Sequence, residues 1–363
     1  MSPGRSPAAL RLLYLGPFNS PHLEDLAIAM RARGHVVQAG GEVWGGGLPS
    51  SSLPGHGVPT SEMRGRSVLW LRRLIDTFRP DVVHAHWMPF AALAALAGAR
   101  PLVATAWGSD VYGASLKHRL LIRLALHRSA VAMTDSRDLM NRLRELGPAS
   151  LQTMVVNWGV DFETLAPPSE QQRTELKARF GLGSGPVVLS PRGLKDLYNP
   201  GVVVEAFKRV HASIPNARLV LKHGGVAGEM RPEWADAPGI KVIGRIAYDE
   251  MADLFRAADV TVSIPASDSS PRSVWEAMAA GSATVLSDLS WVDELIEDDR
   301  DALVVATEVE PVASAIERLI RDEALRRRIV SSARQLVEKH RDRKTELARV
   351  ERCYLELTAR SRK

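Results

Sequence analysis

The sequence predicts an α/β protein built from two doubly wound, parallel-sheet domains, and three observations carry that expectation. Near the N-terminus an apolar strand, Leu10–Leu15, runs into a loop at 16–21. A helix over His22–Arg33 follows, stopped by Gly34, and a second strand begins at Val36, which is a βαβ opening. Far downstream the same grammar recurs: the β-branched run Asp259–Ile264, a helix from Ser273 onward and a strand restarting at Thr284–Leu286. Finally, 363 residues are too many for one ordinary core, which places the two units in separate domains.

Composition sets further bounds. A hydrophobic content of 45% with 25% charged residues is that of a globular chain. The single cysteine, Cys353, excludes an internal disulfide framework and a cysteine-based metal site. No run approaches the ~18 apolar residues of a membrane helix. The first residues, MSPGRSPAALRLLYLG, hold no apolar segment ahead of the first strand, so a signal peptide is not expected and a cytoplasmic location is. The net charge of +5 is unevenly placed: residues 1–165 hold 17 basic and 12 acidic side chains, and the remainder 30 of each. A basic N-terminal half suggests an acidic counterpart, either an anionic substrate or a membrane surface on its cytoplasmic side; nucleic acid is not expected.

Taken in order, the loop after the first strand (Gly16–Ser20) lacks G-x-G-x-x-G spacing, so a dinucleotide fingerprint is absent. His22 stands at the start of the first helix. The stretch Gly40–Thr60, rich in Gly, Ser and Pro, reads as a loop without regular structure. Arg66–Arg79 is an amphipathic helix. Asp81–His86 is a strand carrying His84 and His86 on one face, and with no HxxE or Cys partner the pair does not make a zinc site. A small-residue helix, Ala91–Ala99, leads to the strand Pro101–Ala106 and then Trp107-Gly108-Ser109-Asp110. Ser115–Arg128 is a basic amphipathic helix with Arg119, Arg123 and His127 at successive turns, suited either to the surface of a packed helix or to anionic lipid. Two prolines, a polar helix and glycines make Pro167–Gly185 the natural linker. The second domain then opens with the strand from Pro186 and the loop Pro191-Arg192-Gly193-Leu194-Lys195. Later strands lead into Lys222-His223 and into Gly244-Arg245-Ile246, and residues 310–363 read as charged helices. E-x-x-H, G-x-S-x-G and Walker A patterns are all missing, which removes zincins, α/β-hydrolases and P-loop NTPases.

The most informative stretch is SDSSPRSVWEAMAAG, Ser267–Gly281. Ser269 and Ser270 are N-cap candidates and Pro271 suits the first turn. Val274, Ala277, Met278 and Gly281 share one helical face, with Glu276 on another. The N–H groups of such a strand–loop–helix unit suit phosphate oxygens, and Asp268 and Glu276 bracket the helix start.

This stretch, with GRIAYDEMADLFRAADVTVSIPASD before it and GSATVLSDLSWVDELIEDDRDALVV after it, resembles the donor-site signature of the retaining glycosyltransferases of family 4, the glycosyl transferases group 1: an acid, seven residues, Glu, then Ala-Met-Ala-x-Gly. The resemblance implies a GT-B fold, two Rossmann-like doubly wound parallel-sheet domains facing an interdomain cleft. Residues 1–166 would form the acceptor-side domain, 167–344 the nucleotide-sugar-binding domain, and 345–363 a helix crossing back to the first. It also implies transfer of a sugar from a nucleotide-diphosphate sugar, a UDP- or GDP-sugar, to a hydroxyl acceptor with retention, and no requirement for a metal or other cofactor.

By the same resemblance Glu276 binds the ribose and Asp268 lies by the sugar. Arg192 and, from its loop, Lys195 neutralise the diphosphate, with Arg272 and the amides of Ser273 and Val274 beside them. The main chain at Arg245 and Ile246 meets the base, and Gly16 belongs to the N-terminal loop. His22, His86 and Trp107 line the cleft, and Asp110 contacts the acceptor hydroxyl. Five positions depart from the family pattern: Asp268 in place of Glu, Ser270–Pro271 in place of Phe-Gly, Tyr198 near the usual Lys, and Trp107 where many relatives carry His. Pro271 removes one N–H donor. A nucleotide-sugar epimerase or phosphorylase on this fold, or a silent nucleotide-sugar-binding homologue, are the alternative functions.

Overall fold

The computed structural model describes residues 9–18, 20–43, 52–63, 67–223 and 231–361. They form two compact units. The first comprises the chain up to Trp158 together with Lys344 onward, and the second Gly159–Arg343.

In the first unit β1 (Arg11–Pro17), α1 (Pro21–Ala32), β2 (Val36–Glu42), α2 (Ser52–Gly55) and β3 (Thr60–Glu62) precede α3 (Val68–Phe78), β4 (Val82–His86) and α4 (Met88–Leu96). Then come β5 (Leu102–Thr105), α5 (Leu116–Arg128), β6 (Val131–Thr134), α6 (Arg137–Leu146) and β7 (Gln152–Val155). The seven strands are parallel, in the order β3-β2-β1-β4-β5-β6-β7. Successive residues of β1 serve opposite faces. Leu13 and Leu15 enter one core with Val83, Ala85, Leu102 and Ala104, while Leu12 and Tyr14 enter the other with Val82, Val103 and Met133. A parallel sheet covered on both faces requires such unbroken apolar strands.

The second unit contains α7 (Glu170–Arg179), β8 (Val187–Ser190), a 3-10 turn (Asp196–Tyr198), α8 (Pro200–Ser213), β9 (Arg218–Lys222), α9 (Pro232–Ala235) and β10 (Ile240–Ile243). It continues with α10 (Tyr248–Ala257), β11 (Val260–Ser263), α11 (Arg272–Ala279), β12 (Ala283–Ser287), β13 (Leu303–Val305), α12 (Val309–Arg321) and α13 (Glu323–His340). Its six parallel strands are ordered β10-β9-β8-β11-β12-β13. In each sheet the strand order therefore reverses once, between β1 and β4 and between β8 and β11. Such switch points open a crevice at the carboxyl ends of the strands.

Three expectations are corrected by local physics. The glycine-rich segment after Val36 is not all loop: Gly40 and Gly41 lie inside β2, and β3 recovers at Thr60. A Cβ on Gly41 would stand 1.8 Å from the Gly16 carbonyl oxygen, so glycine is required here for two strand ends to meet. Residues 44–51 of that segment, and Arg66 of the helix expected over Arg66–Arg79, lie outside the described residues. Much of the compositional linker, 167–185, is an integral helix of the second unit. Ser169 and Gln172 form a capping box at the start of α7, and Lys177 donates to Asp259 Oδ2 at 2.7 Å, the same oxygen that accepts the Val187 N–H. The units accordingly divide at Trp158–Gly159, before Val160 and Leu165 enter the second unit's core. Finally, Pro271, rather than Ser269 or Ser270, is the N-cap of α11. The Ser270 Oγ instead accepts the Trp275 indole N–H at 3.0 Å.

The last helix, α14 (Arg343–Ser361), belongs to the first unit from Lys344 onward. Glu346 accepts the Asn157 N–H at 3.0 Å, and Glu351 pairs with Arg33 at 2.7 Å. At its centre the Tyr354 hydroxyl lies 2.6 Å from His84 Nδ1 and 3.1 Å from the Tyr14 hydroxyl, all three buried. Tyr354→Ala is expected to lower the unfolding free energy by about 3–5 kcal/mol, the cost of emptying a buried aromatic site. Urea denaturation followed by circular dichroism measures it; a loss under ~1 kcal/mol would show that α14 is not integral to the unit.

Candidate functional site

In the second unit the polar groups gather at the carboxyl ends of the strands. β8 delivers Arg192, two residues beyond Ser190. The Arg192 Nη2 meets Asp268 Oδ2 at 2.7 Å, with both side chains largely buried, and its Nη1 donates to Ser273 Oγ at 3.3 Å. The guanidinium lies over the Tyr198 ring, 4.6 Å from its centroid. Tyr198 therefore supports Arg192 by stacking, in the place where a second cation was expected. Lys195 is exposed ahead of the 3-10 turn; its carbonyl accepts the Tyr198 N–H at 2.9 Å, and its side chain makes no ion pair among the described residues.

The second cation comes from elsewhere. Lys222 ends β9, paired in register with Ile243, and Arg245 follows two residues beyond Ile243. Burial lowers the Lys222 pKa, and the charges of Arg245 and Arg192 lower it further. Three cations thus converge on one edge, two of them (Lys222 and Arg245) without an acidic partner among the described residues. Sequence reading passed over Lys222 because a lysine at a strand end resembles any solvated terminus. Only the register with β8 and β10 reveals its company.

Across the β8/β11 switch, α11 carries the second acid. Glu276 is only 6% exposed. Its Oε1 accepts from Arg272 Nε at 2.6 Å and from the Tyr248 hydroxyl at 3.1 Å, and Arg272 also lies over the Tyr248 ring. Both contacts fall on one oxygen, which leaves Oε2 for a hydroxyl donor. Val274 is removed from the expected phosphate contacts: its side chain is fully buried and its N–H donates to the Pro271 carbonyl at 3.0 Å. The amides of Arg272 and Ser273 remain at the helix start. Ser270, in the loop between β11 and α11, has a left-handed φ of +41°, a strained setting of the kind that clusters at ligand sites. Ile246 is half-buried beside exposed Arg245 in the loop after β10.

In the first unit the corresponding switch lies between β1 and β4. Gly16 stands there against the His86 backbone, where a Cβ would meet its carbonyl oxygen at 3.2 Å. His22, Trp107 and Trp158 pack as an aromatic group, with ring centroids 5.4 Å (His22–Trp107) and 6.0 Å (His22–Trp158) apart. His86 was expected to face a ligand, but it is wholly buried, stacked 4.4 Å from His84 and 5.6 Å from Trp158. Burial, then His84 and His22, hold its pKa well below the ordinary imidazole value, so the ring is neutral. It is packed behind the aromatic group rather than exposed on it. Asp110 is likewise turned inward. Its Oδ2 accepts the Met88 N–H at 2.7 Å and its Oδ1 the Trp107 N–H at 2.9 Å, tying the β4–α4 junction to the loop after β5. Trp87, next to Met88, has a positive φ of +77°. The structure thus casts Asp110 as a positioning residue for Trp107.

Each unit therefore has a Rossmann-like layout with one switch point, and two such units in one chain are the architecture of the GT-B fold. Anabaena HepE, solved with UDP and glucose, has the same fold: its TM-score is 0.79 at 18% identity, covering 95% of this chain and 99% of that one. Residues 172–336 match the glycosyl transferases group 1 family and residues 20–159 the glycosyl transferase 4-like domain. The chain belongs to the group 1 glycosyltransferases, family 4. Among curated relatives it is similar to the D-inositol 3-phosphate glycosyltransferase of Xylanimonas cellulosilytica, 29% identical over 79% of this chain and 74% of that protein. It is also similar to the phosphatidyl-myo-inositol mannosyltransferase of Mycobacterium tuberculosis, 25% identical over 88% of each.

Asp110 gives a pH signature. Burial pushes its carboxyl up to about 6, against the opposing hydrogen bonds from Met88 and Trp107. A carboxyl whose folded pKa exceeds its unfolded value binds more protons when folded, so its contribution is greatest below about pH 4 and is lost as pH rises to 6. Asp110→Asn should therefore remove a fall in unfolding free energy between those pH values. Denaturant titrations of both proteins across that range test it; identical slopes would contradict the shift.

Proposed function

We propose that the chain transfers a sugar from a nucleotide-diphosphate sugar to a hydroxyl acceptor with retention of anomeric configuration. The observation that carries this reading is the convergence of Arg192, Lys222 and Arg245 beside the start of α11, with two largely buried acids, Asp268 and Glu276, next to them. A diphosphate fits the cations, since arginine grips phosphate through paired N–H donors. A ribose hydroxyl fits the open Oε2 of Glu276. Tyr248, which the sequence alone did not single out, fixes that carboxylate.

In the proposed step the bond between the anomeric carbon and the diphosphate oxygen breaks, and the electron pair leaves with the diphosphate. Arg192, Lys222 and the amides at Arg272 and Ser273 stabilise the charge that develops there. The acceptor oxygen attacks from the same face and gives its proton to a departing phosphate oxygen, so no enzymic nucleophile is needed. Asp268, clamped by Arg192, faces the sugar. Charge neutralisation by side chains makes the reaction independent of a divalent metal in this reading. HepE was solved with UDP and with UDP-glucose, which favours a uridine nucleotide as the first donor to try. The identity of the product anomer, read from proton coupling constants by NMR, tests retention; an inverted product would refute it.

Two substitutions separate ribose from phosphate recognition. Glu276→Gln should weaken nucleoside diphosphate binding by about 1.5–3 kcal/mol, the range for hydrogen bonds to a charged group. It should also erase the preference for UDP over 2′,3′-dideoxy-UDP in calorimetry. Arg192→Gln should weaken the diphosphate by a similar ~1.5–3 kcal/mol and leave nucleoside affinity unchanged. Equal losses on nucleoside and diphosphate would place the phosphates elsewhere.

A further inference from the structure

Three neighbouring helices on one face of the first sheet, α3, α4 and α5, carry most of the large apolar side chains that the described residues leave in solvent. Leu116 is 79% exposed, Leu120 67% and Leu121 41%, all on α5. Leu69 on α3 is 65% exposed and Leu96 on α4 48%. Their helices pack side by side, α3 on α4 and α4 on α5. Elsewhere among the described residues only Val36 and Leu197 are comparable, each close to 40% exposed. Isolated exposed leucines need no explanation, but a group on one helical layer marks a contact surface.

The charge around these leucines identifies the partner. On α5 the buried side is Ile122, Ala125 and Leu126. Helical periodicity puts Leu116, Leu120, Arg123 and His127 on the opposite side, flanked by Lys117 and Arg119. Each of three exposed leucines has an arginine three residues later: Leu69 and Arg72, Leu116 and Arg119, Leu120 and Arg123. All three arginines are exposed and none is ion-paired among the described residues. The α5 sequence, LKHRLLIRLALHR, contains no acidic residue. At its C-terminal end an open basin of about 530 Å3 is lined by Arg100, His127 and Arg128. The excess charge of the whole chain lies in residues 1–165.

We infer that the outer face of α3, α4 and α5 is a docking surface for an anionic phospholipid bilayer. Leucines projecting from a helix enter the boundary between headgroups and acyl chains, and the arginines one turn away meet the lipid phosphates. The basin at the end of α5 has the size and charge for one headgroup. An acidic protein would satisfy the arginines but would not call for unaccompanied leucines spread across three parallel helices. Among the described residues no helix is long and apolar enough to cross a membrane, so the contact is peripheral. The inference stands apart from the transfer reaction, because it needs neither donor nor acceptor.

Co-sedimentation of the full chain tests it, with vesicles of phosphatidylcholine alone and of phosphatidylcholine mixed equally with phosphatidylglycerol. The wild type should pellet with the anionic vesicles at about 0.1 M salt and be released at about 1 M, where the Debye length falls from ~10 to ~3 Å. Arg119→Glu/Arg123→Glu should weaken binding at least about thirtyfold, from roughly a fivefold loss per removed cation and more for reversal. Leu116→Ser/Leu120→Ser should weaken it at both salt concentrations. Circular dichroism melts should match the wild type, since all four side chains are exposed. Wild-type protein left in the supernatant with anionic vesicles at low salt would overturn the inference. So would equal binding to neutral vesicles, or undiminished binding by either variant.

Discussion

Both sheets are parallel and covered on both faces, and the rest of the molecule follows from that constraint. Their strands are therefore largely apolar on both sides, and a polar group in mid-strand is buried and must find its partner inside the core, as Thr261 does 2.8 Å from the Ser282 hydroxyl. Chemistry is thereby confined to strand ends and to the loops after them. Arg192, Lys222, Arg245 and Asp268 all follow this rule, and so do Gly16, Trp107 and Asp110 in the first unit. His84 and His86 are the exception that shows the cost. Placed within β4, they are neutral, and His84 keeps its place through Tyr354 and Thr105, each at 2.6 Å.

Electrostatics divide the second unit's edge into two parts. Arg192 with Asp268, and Arg272 with Glu276, are nearly buried pairs at 2.7 and 2.6 Å. Such pairs roughly break even in stability, and their value lies in holding geometry. Lys222 and Arg245 add charge with no acid to meet it among the described residues. That surplus is what a diphosphate would relieve, and it explains why burial alone does not account for the depressed Lys222 pKa.

The first unit depends on the chain's last segment. Tyr354 completes a buried set with Tyr14 and His84, while Glu346 and Glu351 tie α14 to the end of β7 and to the turn after α1. Residues some 340 positions apart thus share one core. The same unit presents a polar switch point at one end of its sheet and a basic, leucine-studded helical layer on one face.

Much was legible in the sequence because it is local. The βαβ openings, the two-domain organisation and the Ser267–Gly281 signature rest on apolar periodicity and on short-range spacing. Neither depends on distant contacts. The resemblance carried by that signature pointed to Arg192, Asp268 and Glu276; in the structure Arg192 pairs with Asp268 at 2.7 Å and bonds Ser273 of the helix that carries Glu276. Tertiary structure alone decided the rest. Gly41 reads as loop until Gly16 is set against it. The polar helix after Pro167 reads as linker until Asp259 reaches Lys177. His86 reads as ligand-facing until packing buries it, and Lys222 and Tyr248 read as ordinary until β8, β10 and α11 surround them. In each case the deciding quantity is a neighbour tens to hundreds of residues away. A one-dimensional pattern carries the period of an element, but not the identity of what it is packed against.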